Sequence, residues 1–176
     1  MAKYWCVSDF HFNHKNIIKY CDRPFKTIEE MNQAIISNIN SVVNTDDYLL
    51  CLGDWCFGRD SNKDTVITTR NAIKCKNISL VYGNHDDIIR KNTGLQRLFT
   101  GCYEYLCQKI YDRWILMVHR TDTPQMYKII DKFRQNYKDG VVLFGHSHQK
   151  KDVWQNMCLE VNEYKPVDLE LLLKEH

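Results

Sequence analysis

Acid, amide and imidazole side chains occur in five short blocks along this chain: Asp9-x-His11, Gly53-Asp54, Gly83-Asn84-His85-Asp86, His119 and Gly145-His146-x-His148. Such groups ligate metal ions or carry protons, so the chemistry open to them is metal-assisted hydrolysis or proton transfer. Any one block alone reads equally well as a polar turn, because Gly, Asn and Asp are ordinary turn residues. Each block, however, directly follows an apolar run of strand length. Polar side chains at the carboxyl ends of buried strands lie where open α/β sheets place their ligands. Carboxylate, amide and imidazole without thiolate suit hard or borderline ions such as Mn, Fe or Zn in a hydrolytic centre, rather than a structural zinc. There are more ligands than one ion needs. Two ions about 3.5–4 Å apart, sharing a carboxylate, would use them all.

The elements that must position these groups follow from periodicity. Residues 3–8, 48–52 and 77–82 read as buried strands ending at Asp9, Gly53-Asp54 and Gly83-Asn84. On an extended segment, Asp9 and His11 would point to one side because side chains alternate. Residues 103–110 and 114–118 read as a hairpin turning at Tyr111-Asp112-Arg113 and ending in His119. Residues 141–144 are a short buried strand before Gly145, and a last hairpin is expected over 151–154 and 157–161. Thr27 and Glu30 fit a capping box. It opens an amphipathic helix in which Ile28, Met31, Ile35, Ile39 and Val42 recur at helical spacing. Further helices are expected from Ser61 to residue 74, over 86–91 with Gly94 near the end, from Pro124 to 137, and over 168–173. Pro24 pushes Arg23 toward an extended conformation. A cation there, on a loop close to the Asp9 strand end, could grip a phosphate.

The totals bound the function. A chain of 176 residues, 44% apolar and 26% charged, is that of a soluble globular protein with a substantial core. No apolar run approaches the ~20 residues that span a bilayer, and the N-terminus lacks a signal-peptide layout. No membrane association and a cytoplasmic location are therefore expected. Eight cysteines without a Cys-x-x-Cys pair read as reduced, small core residues. A net charge of +2 offers no electrostatic case for a stable nucleic-acid complex, while leaving a nucleotide substrate open.

In order, the five blocks match the signature of calcineurin-like metallophosphoesterases, and the resemblance spans nearly the whole chain. The Asn13-His14 and Tyr20-Cys21-x-Arg23-Pro24-Phe25 stretches are also similar to a small bacterial and phage-type branch of that family. The resemblance implies one domain over residues 1–176. Its fold would be α/β, with two packed mixed β-sheets flanked by helices in a four-layer α/β/β/α sandwich. It implies that Asp9, His11 and His148 hold a first divalent ion, that Asn84, His119 and His146 hold a second, and that Asp54 bridges both. Manganese is the first choice of metal, with iron, nickel and zinc as alternatives. His85 follows a ligand without being one, which fits a general acid, and Asp86 would orient its ring and raise its pKa. A water held between the two cations would be the nucleophile near neutral pH.

The protein phosphatase branch of that family carries Gly-Asp-x-x-Asp-Arg-Gly, whereas this chain has Gly53-Asp54-Trp55-Cys56-Phe57-Gly58, with Arg59 one place later. That departure argues against a phosphoprotein substrate. The expected reaction is hydrolysis of a phosphodiester in a nucleotide, cyclic nucleotide or similar small molecule. His14, Arg23 and Arg120 are candidates for binding its non-reacting portion. The alternatives are a phosphomonoesterase and a non-catalytic module in which metals organise a surface for a protein partner. A spare imidazole at His85 counts against the last.

Overall fold

The structure, a computed structural model, describes residues 2–57, 62–148 and 155–176. Among these, one five-stranded sheet has the order β4 (Gly101–Tyr103), β3 (Asn77–Val81), β2 (Tyr48–Cys51), β1 (Tyr4–Val7) and β8 (Val167–Asp168). Strands β1 to β4 run parallel, and β8 is antiparallel to β1. A three-stranded sheet contains β5 (Leu106–Ile110), β6 (Arg113–Met117) and β7 (Val141–Leu143), with β5 antiparallel and β7 parallel to β6. This is the expected α/β architecture of two mixed sheets flanked by helices.

Alternation along each strand assigns side chains to layers. Val7, Leu49, Cys51, Ile78 and Leu80 face one way, against Met31, Ile35 and Ile39 of α2 (Ile28–Val42) and Val66 of α3 (Lys63–Ala72). Cys6, Leu50 and Val81 face the other way and meet Ile110, Ile115, Met117, Val141 and Leu143 of the second sheet. Leu116, on the far face of β6, packs with Ile130 and Phe133 of α6 (Pro124–Asn136). Between these lie the four-residue helices α1 (Ile17–Tyr20), α4 (Asp87–Arg90) and α5 (Thr93–Gln96). Helix α7 (Leu169–Glu175) closes the chain. Among the described residues no helix is long and apolar enough to cross a membrane. None of the eight cysteines forms a disulfide among the described residues, and five of them are buried.

Several local expectations are corrected. Residues 103–110 are not one strand: the chain breaks at Glu104-Tyr105, so that β4 pairs with β3 while β5 pairs with β6. A period of two marks faces, not sheet membership. Residues 157–161 are not a strand either. Asn156 and Cys158 make single bridges to Phe144 and Ser8, and Leu159–Val161 is a 3-10 turn. The side-chain amide of Asn162 donates to the Asn156 and Cys158 carbonyls, occupying acceptors that a neighbouring strand would use. The other half of that expected hairpin, 151–154, lies outside the described residues, as does Ser61. The cap of α3 is Asn62, which forms a capping box with Thr65. Thr27 caps α2 by accepting from Glu30 N, yet the Glu30 carboxylate reaches Lys26 N rather than Thr27 N. Gly94 lies within α5 instead of ending α4. Strand β8 is too short to show alternation, and its Asp168 doubles as the cap of α7.

Candidate metal centre

Five strands, β1, β2, β3, β6 and β7, end within a few residues of the candidate ligands, all at one edge of the paired sheets. The segment after β1 does not stay extended. Asp9, His11 and Asn13 have φ of 64°, 52° and 62°, and Asp54 and His146 have φ of 54° and 64°. The convergence of Asp9 and His11 thus arises from alternate left-handed residues, correcting the simple alternation argument. Such residues cost roughly 1–2 kcal/mol each and persist where surrounding bonds over-determine them. Here Asp9 N donates to Gly53 O (3.0 Å), His11 N to Asp54 O (2.9 Å), and His146 N to Asp9 Oδ2 (2.8 Å).

Gly53, at the β2 tip, combines a left-handed backbone with a lack of room for any side chain. Its φ is 98°, and a Cβ there would lie 2.6 Å from Gly83 N and 2.7 Å from His119 Nδ1. Gly53→Ala is expected to lower stability by about 2 kcal/mol or more, from the left-handed penalty and the backbone clash together. For a chain of this size that is a fall of roughly 4–8 °C in Tm. An unchanged thermal melt would show that the β2 tip can yield.

The side chains form two adjoining groups. In Asp9, His11 and His148, one potential ligand atom from each lies within 4.8 Å of the others, and the same holds for Asp54, His119 and His146. Asp54 Oδ2 lies 3.4 Å from His119 Nε2, 3.5 Å from His11 Nε2 and 4.0 Å from His85 Nε2, so it sits between the groups. Asn84 Oδ1 is 3.0 Å from His119 Nε2. His119 Nδ1 lies 2.7 Å from the Leu52 carbonyl, so it carries the proton and leaves Nε2 facing Asp54 and Asn84. The donor set fits divalent cations on a direct observation. Asp9 Oδ1 and both His11 ring nitrogens are buried with no hydrogen-bond partner among the described residues, a state a cation would relieve.

Charge is concentrated here. Burial alone would raise Asp9 and Asp54, but the surrounding imidazoles hold both carboxyls below their ordinary range. Burial likewise opposes the charged form of His119, yet contact with Asp54 and the charges of Asp9 and Asp54 lift it to about 9. His148 is raised to about 10 against burial, by Cys21 and Glu160 and then by Asp9. His146 goes the other way, lowered first by burial and then by His119 and Arg120.

Two assigned roles are corrected. Asp86 does not touch the His85 ring. It is fully buried and accepts from Gly83 N, Asp54 N and Trp55 N, each at 2.8 Å, so it ties the β3 turn to the β2 tip. Burial and the neighbouring Asp54 charge push its carboxyl up to about 6. Nor is Arg23 free to grip a phosphate. Its side chain is fully buried, donating to Asp9 O (2.7 Å) and Phe10 O (2.9 Å), with an ion pair to Glu160 at 2.7 Å.

The other candidates are placed as follows. His85 keeps 31% of its side chain exposed, rests on Phe57 at 4.0 Å between ring centroids, and donates its backbone N–H to Asp54 Oδ1. Burial lowers its pKa, and the pull of Asp54 does not reverse this. His14 is only 8% exposed, packed on Phe57 (4.3 Å) and His11 (5.4 Å), and burial first and His11 next lower it to about 4. It is thus neutral at pH 7. Arg120 is half-exposed and bidentate to Asp122, on the wall of a hollow of about 160 Å³ shared with Asn84, His119, Tyr82 and Arg90.

Two residues at the site were not anticipated. Glu160 Oε1 lies 2.8 Å from His148 Nδ1, and Cys158 Sγ lies 3.2 Å from Asp9 Oδ2. An acid inside the apolar run Cys158-Leu159-Glu160-Val161 is a signal that could have pointed to Glu160, since a buried carboxylate needs a partner. Cys158 carries no such mark.

An uncharacterised protein of Methanocaldococcus jannaschii, MJ1445, is 32% identical over 188 aligned residues, covering 99% of this chain and 91% of that one. The crystal structure of a protein of unknown function from Aquifex aeolicus, AQ665, superposes with a TM-score of 0.78 at 21% identity, covering 100% of both chains. The sequence profile of the calcineurin-like phosphoesterase superfamily domain matches residues 3–163, and the chain belongs to that family.

Proposed function

We propose that the protein is a dinuclear metal-dependent phosphoesterase acting on phosphodiesters of small molecules, nucleotides or cyclic nucleotides among them. The observation that supports this most directly is Asp54 Oδ2, 3.5 Å from His11 of one ligand group and 3.4 Å from His119 of the other. A carboxylate so placed can be shared by two cations. Asp9, His11 and His148 would hold one, Asn84, His119 and His146 the other. Bound divalent ions, manganese foremost, supply Lewis acidity toward the phosphoryl oxygens and a nucleophile at neutral pH.

The chain's own groups account for the rest. His119 and His148 are fixed in their ring orientation by Leu52 O and Glu160, leaving Nε2 of each toward the centre. His85 Nε2, 4.0 Å from Asp54 Oδ2 and reachable from solvent, is placed to hand a proton to the departing oxygen. Its lowered pKa makes the imidazolium a readier donor, and the negative charge of a bound phosphoester beside it favours the protonated form. Arg120 borders the hollow next to Asn84 and His119, where a non-reacting part of the substrate fits.

Hydrolysis of bis-aryl and mono-aryl phosphates by manganese-loaded protein tests the proposal. Faster turnover of the diester is expected. Faster monoester turnover would make the protein a phosphomonoesterase. No hydrolysis with Mn, Fe, Ni or Zn would return the reading of a metal-organised protein-binding surface.

A further inference from the structure

Resting on the two-cation reading, we propose that Glu160 and Arg23 are positioning residues that set the affinity of the first cation position, the one formed by Asp9, His11 and His148. One guanidinium joins the two remote segments that meet there. Arg23 Nη2 donates to Asp9 O at 2.7 Å and Nη1 donates to Phe10 O at 2.9 Å, holding the tip of β1. Arg23 Nε donates to Glu160 Oε1 at 2.8 Å, and that same oxygen lies 2.8 Å from His148 Nδ1. The pair is enclosed, with side-chain exposures of 0% for Arg23 and 6% for Glu160.

The chemistry of this relay is specific. A carboxylate on the outer nitrogen of a ligating histidine fixes the tautomer and makes the inner nitrogen a better donor. Among the described residues the second position shows no equivalent: His119 Nδ1 meets the neutral carbonyl of Leu52, and no carboxylate pairs with the His146 ring. Glu160 therefore acts on His148 alone. Cys21, His148 and Glu160 also present ligand atoms within 4.8 Å of one another. The Arg23 guanidinium on Glu160 already supplies the positive charge that a cation among those three would bring. Lysine at residue 23 could not reproduce three directed contacts from a planar fork.

The test is a set of manganese titrations by calorimetry in two backgrounds. His119→Ala leaves the first position to be measured, and His148→Ala leaves the second. Glu160→Gln, which keeps shape and an acceptor while losing charge, is expected to weaken manganese binding by about 10–100-fold in the first background. In the second background it changes nothing. Because Glu160→Gln strands a buried guanidinium, the double variant Arg23→Met/Glu160→Gln is measured alongside and is expected to show the same pattern. Unchanged affinity in the His119→Ala background, or equal loss in both, overturns the proposal. Wild-type protein that binds no manganese sinks the two-cation reading and this inference together. Wild-type protein that binds two ions, with Glu160→Gln unaffected, sinks the inference alone.

Discussion

Asp54→Ala is expected to strip the protein of bound metal and to reduce phosphoesterase turnover by on the order of 10³-fold or more. The size follows from position. One oxygen lies within 3.5 Å of imidazoles from both ligand groups, so on the proposed two-cation reading its loss would remove a donor from each ion at once. The other oxygen accepts from His85 N at 2.9 Å, so the same change loosens the backbone that presents the proton donor. Asp54→Asn separates these effects: the amide oxygen can keep the His85 contact while the shared negative charge disappears. Metal content per chain, measured by elemental analysis after dialysis, gives the answer. Two ions retained in Asp54→Ala would end the bridging assignment.

His85→Ala has the next largest effect and a different signature. Metal content is expected to stay near that of the parent, since His85 belongs to neither ligand group, its Nε2 lying 4.0 Å from Asp54 Oδ2. Turnover of an alkyl phosphodiester, a poor leaving group, falls by about 10²–10⁴-fold. An activated aryl ester loses far less, because its departing oxygen needs little protonation. The pH profile carries the sign. A donor must be protonated to act, and burial holds His85 below its ordinary value. In the parent enzyme the alkyl-ester rate therefore declines as pH rises through that lowered pKa, and in His85→Ala this decline disappears. Equal losses for both ester types would remove His85 from the acid role.

Much of this centre is legible in the sequence because its ligands obey a local rule. Asp54, Asn84, His119 and His146 each follow a buried apolar run directly, and a strand tip is a place that periodicity locates well. What periodicity misses is anything set by tertiary pairing. The break at Glu104-Tyr105 leaves the alternating pattern intact while sending β4 and β5 to different sheets. Asp86 and Arg23 carry functional-looking side chains, yet the structure spends them on backbone N–H and carbonyl groups of other strand tips. Their partners lie far along the chain, up to Glu160 in a segment whose apolar character suggests a strand and whose amide-capped turn forbids one. Left-handed residues at Asp9, His11 and His146 are equally silent in sequence, since aspartate and histidine tolerate that conformation better than most residues yet adopt it at only a small minority of positions.

Strand β1 sits inside its sheet, with β2 on one side and β8 on the other, and Arg23 clasps Glu160, 137 residues further along the chain. During synthesis on the ribosome, Asp9 and His11 emerge long before His148 and Glu160 exist. Vectorial folding can assemble β1 to β4 early, but the proposed first cation position lacks a ligand until His148 has been made, and lacks its relay until Glu160 follows. On the two-cation reading, capture of the first ion therefore waits until the segment from Asp9 to Arg23 has met the segment from His148 to Glu160.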